Sequence, residues 1–178
     1  MKKMKVPIVQ LKLPEKVLSE VKEVLMSGMW AEGDPVHKLE EEFADYCGTK
    51  FCKAVNNGTA ALLYIIHSLQ LDPGAEVIIP SFSFIATANC LIPFGLKPVF
   101  ADIDPNSFNI SPESIRKKIS EKTKAIMPVH LYGLCADMFE IKEIAEENNL
   151  VIIEDACQAH GADIDGKKAG NLGDIAAP

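Results

Sequence analysis

From about residue 50 onward the apolar positions fall into short strand-like runs separated by helical stretches. Candidate strands are Lys53–Asn56, Glu76–Pro80, Lys97–Asp102, Lys124–His130 and Leu150–Asp155. The run Val151-Ile152-Ile153 is continuous rather than alternating, the pattern of a parallel strand covered on both faces. Helix candidates lie between the strands at Gly58–Gln70, Ser81–Phe94, Ser111–Ser120 and Asp137–Asn148. Ser111 before Pro112 is a start signal, a capping hydroxyl followed by a proline in the first helical turn. Asp137 can cap the next helix, in which Phe139, Ile141, Ile144 and Ala145 make an apolar stripe. Repeated strand–helix–strand units imply right-handed crossovers. The predicted class is therefore α/β, an open, mostly parallel sheet with helices on both faces. An α+β domain with antiparallel pairs is the alternative.

Before residue 50 the pattern changes. Pro14–Ser27 and Pro35–Cys47 read as two amphipathic helices joined by the Gly28–Gly33 loop, which carries Trp30. Residues 1–48 are thus expected to form a helical segment that packs on the sheet domain or on a partner. Residues 49–178 are expected to form the α/β domain. No internal repeat, low-complexity tract or Ser/Gly-rich linker marks a further boundary.

Composition narrows the function classes. Hydrophobic residues make up 48% of the 178 and charged residues 24%, a globular balance that excludes disordered, collagen-like and coiled-coil readings. The net charge of −7 argues against nucleic acid or an anionic membrane as the main partner, although a local anion site remains compatible with it. No run approaches the ~20 apolar residues of a membrane helix, and the basic Met1–Lys5 start is not followed by a signal-peptide core. The cysteines (Cys47, Cys52, Cys90, Cys135 and Cys157) are scattered and odd in number, which favours a reducing cytoplasm over a disulfide framework.

Three segments carry candidate chemistry. Asn57-Gly58-Thr59-Ala60-Ala61 sits where a strand meets a helix, and free N–H groups at a helix start attract anions. Gly58 would let a phosphate approach the backbone and Thr59 adds a hydroxyl; an ordinary capped helix is the competing reading. The P-loop lysine and a GxGxxG element are both missing. The second segment, Glu154-Asp155-Ala156-Cys157-Gln158-Ala159-His160, follows the most apolar strand. Asp155 falls at a strand's carboxyl end, where ligands of open α/β sheets bind. A metal reading would recruit His130, Asp155, Cys157 and His160, but no CxxC or HxxxH element accompanies them. The third segment, Ser81-Phe82-Ser83-Phe84, could offer one aromatic to a flat ligand and another to the core. Asp102 and Asp104 could form a two-carboxylate metal site, against the competing view of Asp104-Pro105 as a turn starter. A phosphate site, a ring stacker and a strand-end carboxylate together suit an aromatic phosphate with a protonated ring nitrogen. Pyridoxal 5′-phosphate has those parts, and its ring needs a carboxylate partner to accept electrons.

At these residues the chain strongly resembles the sugar aminotransferases of the DegT/DnrJ/EryC1/StrS family, which are fold-type I pyridoxal-phosphate enzymes. The resemblance runs nearly end to end. Its motifs include Ser27-Gly28-Met29-Trp30, Asn57-Gly58-Thr59-Ala60-Ala61-Leu62, Pro80-Ser81-Phe82-Ser83-Phe84 and Pro128-Val129-His130-Leu131-Tyr132-Gly133. Glu154-Asp155-Ala156, Gln158-Ala159-His160-Gly161 and Gly173-Asp174 complete it. The resemblance implies that Gly58 and Thr59 bind the cofactor phosphate and that Phe84 stacks on the pyridine ring. Asp155 would pair with the ring nitrogen, and Gln158 would lie near the ring hydroxyl. It also implies a homodimer and transfer of an amino group, typically from glutamate, to a nucleotide-linked keto sugar. Amino-sugar or cell-surface polysaccharide biosynthesis is the expected setting. In the family a lysine soon after the Gly-Asp segment forms the internal aldimine. No lysine here matches it, so it is expected beyond Pro178, after an engineered cut, a frameshift or a natural truncation. The 49–178 domain is then a cofactor-binding domain incomplete at its C-terminus, and the chain by itself is expected to be inactive. A dehydratase of the same family, with histidine in place of that lysine, and a non-catalytic remnant are the alternatives.

Overall fold

The computed structural model describes residues 12–178. The chain divides into two compact units, with the division between Leu39 and Glu40. In the first, α1 (Glu15–Ser27) ends where Gly28 turns left-handed at φ 75°. The Trp30 indole N–H then donates to Leu25 O at 3.0 Å. Helix α2 (Asp34–Cys47) runs across the division, and its buried residues, Ala44 and Cys47, belong to the second unit.

The second unit is built on a five-stranded parallel sheet. Its strands are β1 (Glu76–Pro80), β2 (Lys97–Ala101), β3 (Thr123–Ile126), β4 (Val151–Asp155) and β7 (Ile175–Ala177). Their order across the sheet is β2-β1-β3-β4-β7. The connection β1→β2 moves one way and β3→β4→β7 the other, so the order reverses between β1 and β3. Such a reversal opens a crevice outside the strands' carboxyl ends.

Alternation within each strand supplies both layers. Val77, Ile79, Met127, Ile153 and Ala177 face one core with Leu62, Ile65 and Ile66 of α3 (Gly58–Leu69). Ile78, Ile126 and Ile152 face the other, with Ile115 of α5 (Pro112–Lys118) and Ile141, Ile144 and Ala145 of α6 (Met138–Asn148). Strands buried on both faces need apolar residues at every position, which is why β1 and β4 read as continuous runs. The caps hold as expected: Ser111 accepts from Ser114 N, and Asp137 from Glu140 N.

Four expectations change. Lys53–Asn56 is no strand: these residues are exposed, and the Ala54 N–H and Lys53 Nζ bond the Glu40 carboxylate instead of a neighbouring strand. Ser81–Phe94 is not one helix but a bend, the short α4 (Ala86–Asn89) and a 3₁₀ turn at Ile92–Phe94 ended by left-handed Gly95. Pro93, with no N–H, cannot extend an α-helical ladder there. Pro128 likewise ends ordered β3 at Ile126. Phe139 is 65% exposed, and Met138 takes its expected place in the stripe of α6. The structure also adds β7 and a hairpin of β5 (Asp163–Ile164) with β6 (Lys167–Lys168). The hairpin turns on Asp165-Gly166, both at positive φ, the Asp-Gly signature of a type I′ turn.

Candidate active site

The carboxyl edge of the sheet gathers the residues singled out above. Asp155 ends β4 and shares the side of Ile153, which faces α3. It is only 6% exposed, and its Oδ2 accepts from Thr87 Oγ1 at 2.8 Å. Thr87 Oγ1 also lies 2.9 Å from Ser83 Oγ, and the Thr87 N–H donates to Phe84 O. The loop after β1, which presents Phe84, is thereby tied to the carboxylate. Phe84 itself is 66% exposed, its ring available to a ligand.

The start of α3 is fixed against the same strand end. Asn57 caps it, its Oδ1 accepting from Ala60 N at 2.9 Å. The N–H groups of Gly58 and Thr59 have no partner among the described residues. A Cβ at Gly58 would collide with Cys157 Sγ, two residues beyond Asp155, so only glycine lets the helix start approach this closely. Burial, and then the negative charge of Asp155, push the Cys157 thiol up to about 12. Cys90 is pushed to about 12 for the same two reasons. Both thiols are therefore neutral near pH 7. An anion-accepting helix end, a buried carboxylate and an open aromatic thus occupy one edge.

Gln158 lies three residues past Asp155, exposed, with Oε1 accepting from Tyr132 N at 3.3 Å. The structure therefore gathers Gly58, Asp155 and Gln158 around one stretch of chain and ties Phe84 to it through Thr87. Thr59 is exposed beside Gly58.

The metal-ligand groupings do not form. The His130 ring accepts from Ala136 N at Nδ1 and meets Glu154 Oε2 at 2.9 Å through Nε2, which must carry the proton. Glu154 belongs to the other side of β4 from Asp155. His160 instead packs edge-on against Phe43, with centroids 6.0 Å apart. Asp104 accepts from Asn106 N and Ser107 N, so the turn reading holds there; these bonds keep its carboxyl below the usual range. No group of three or more metal-binding side chains occurs among the described residues.

Sequence reasoning gave no role to Thr87, to the Glu154–His130 pair or to Asn109. Burial raises the Glu154 carboxyl, but hydrogen bonds from His130 and from the N–H groups of Gly173 and Gly170 bring it below the ordinary range. Asn109 offered no periodic signal, because its partners lie in a distant loop.

This architecture, with its edge site, is the large-domain fold of the pyridoxal-phosphate aminotransferases of fold-type I. The chain belongs to the DegT/DnrJ/EryC1/StrS aminotransferase family, matching it over residues 12–177. It is 41% identical over 167 residues to UDP-2-acetamido-2-deoxy-3-oxo-D-glucuronate aminotransferase of Pseudomonas aeruginosa, covering 94% of this chain and 46% of that protein. An aminotransferase structure from Psychrobacter cryohalolentis superimposes with a TM-score of 0.88 at 37% identity, covering 93% of this chain and 42% of that one. A structure described as GDP-4-keto-6-deoxymannose-3-dehydratase with a trapped PLP-glutamate geminal diamine gives a TM-score of 0.90 at 31% identity, covering 95% and 45%. The chain spans about half the length of the curated relatives it matches.

Proposed function

We propose that this chain forms the cofactor-binding part of a pyridoxal-phosphate aminotransferase that moves an amino group, from glutamate, to a nucleotide-linked keto sugar. The observation that carries the reading is the buried Asp155 carboxylate, held by Thr87 beside an α3 start whose first two N–H groups lack partners among the described residues. Those residues fit the cofactor. The Gly58 and Thr59 N–H groups would hold its phosphate, Phe84 would cover one ring face, and Gln158 would meet the ring hydroxyl. Asp155 would keep the proton on the ring nitrogen, and Thr87 would aim the carboxylate. When bound, the cofactor supplies the electron sink that amino-group transfer requires. The relatives' names support the substrate class, and we extend the reading to a homodimer working in the cytoplasm on amino sugars for polysaccharides.

The test is a titration with pyridoxal 5′-phosphate followed by its absorbance and induced circular dichroism. Saturable binding is expected, weakened at least tenfold in Asp155→Ala through loss of a charge-assisted bond. Absence of binding by folded wild-type protein sinks the assignment. Family dehydratases are the second reading, favoured by the dehydratase neighbour. Product analysis of the whole enzyme of which this chain would form the cofactor-binding part, with a keto-sugar nucleotide and glutamate, separates them, since an amino sugar supports transfer and a deoxygenated sugar supports dehydration.

A further inference from the structure

Asn109 is 3% exposed, and its amide is occupied entirely by one distant loop. Its Oδ1 accepts from Leu131 N at 3.1 Å, while Nδ2 donates to Leu134 O at 3.0 Å and Cys135 O at 3.2 Å. Its own backbone is anchored too: Asp104 N donates to its carbonyl at 2.9 Å, and its N–H donates to Ser107 Oγ at 3.3 Å. Between the clamped residues sits Tyr132, held left-handed at φ 52°, ψ 28°. A non-glycine residue keeps such a conformation only where its surroundings impose it. In that conformation the Tyr132 N–H reaches Gln158 Oε1 at 3.3 Å. A Cβ at the following Gly133 would sit 4.0 Å from Gln158 O, so the two segments run side by side.

The bond fixes the polarity of the Gln158 amide. A backbone N–H only donates, so the Gln158 atom facing it is the oxygen, and the NH₂ group is left for a ligand. The structure assigns Asn109 as a positioning residue for Gln158: by clamping the 131–135 loop it holds the Tyr132 N–H on Gln158 Oε1 and turns the glutamine NH₂ toward the site as a donor. The ligand atom it fits is an acceptor oxygen, such as an ionised ring hydroxyl. This inference rests on reading the site as a pyridoxal-phosphate site.

Two measurements on the full chain test it. The first is amide hydrogen exchange of ligand-free protein. Asn109→Ala is expected to speed exchange at Leu131 and Tyr132. Gln158→Ala, at an exposed side chain, is expected to speed Tyr132 alone. Unchanged Tyr132 exchange in Gln158→Ala overturns the link, and this variant decides the matter even where Asn109→Ala fails to fold. The second is pyridoxal 5′-phosphate affinity. Wild-type binding tests the underlying reading by itself. Asn109→Asp keeps the acceptor for Leu131 N but loses both donated bonds, and it is expected to bind about tenfold more weakly. The same change made in a Gln158→Ala background is expected to cost less than threefold, because its effect passes through Gln158. Gln158→Glu is expected to bind more weakly than Gln158→Ala, since it sets an acceptor against an acceptor. Full additivity of the two changes, or Gln158→Glu binding as tightly as wild type, overturns the assignment while leaving the cofactor reading in place.

Discussion

Glu154 shows how one side chain organises the chain around the end of β4. Its carboxylate, fully buried, takes hydrogen bonds from the His130 ring and from the N–H groups of Gly170, Leu172 and Gly173. These bonds tie the chain entering β7 to β4. Glu154→Ala orphans all four donors and is expected to lower stability by about 3–5 kcal/mol in urea unfolding. The carboxyl titrates lower in the folded state than the ordinary 4.5. Its stabilisation is therefore complete above that value and declines as pH falls through it toward the folded pKa. Acid titration of Glu154→Gln is expected to show a shallower loss than wild type. Cys90 and Cys157, raised to about 12, are expected to resist iodoacetamide at pH 8 in folded protein and to react once it is unfolded, as read by mass spectrometry.

At the scale of elements, the start of α3 combines a side-chain cap with a close approach to the chain after β4. Asn57→Ala removes the cap on Ala60 N and is expected to cost about 0.5–2 kcal/mol. Gly58→Ala places a methyl against Cys157 Sγ and is expected to cost about 1–3 kcal/mol. A Gly58→Ala, Cys157→Ala double variant should recover most of that stability in the same unfolding assay. These elements were legible to different degrees. Ser111-Pro112 and Asp137 announced their helices, because caps act within a few residues. Lys53–Asn56 has the composition of a strand, but its Ala54 N–H found Glu40, and no local pattern reports a partner of that kind. β7 is three residues long, too short for periodicity, and exists because β4 offers it an edge.

For the whole molecule, two cores back to back make the sheet the source of stability. Ile153→Ala, deep in the α3-side core, is expected to cost about 2–5 kcal/mol, with the urea slope unchanged. Pyridoxal 5′-phosphate at about 100 times its Kd should add about 2.7 kcal/mol to wild-type unfolding. In Asp155→Ala, with binding at least tenfold weaker, the gain at the same concentration should fall to about 1.4 kcal/mol or less.

The sequence by itself determined the α/β class and the parallel strands. Period, caps and motif spacing are local properties, and continuous apolar runs state that both faces of a strand are covered. Tertiary structure alone decided which groups meet. It set Thr87 on Asp155 across 68 positions of chain, turned His130 to Glu154, and gave Asn109 the distant loop that orients Gln158. Such bonds depend on where strands and loops converge in space, and nothing in the spacing of residues encodes that convergence.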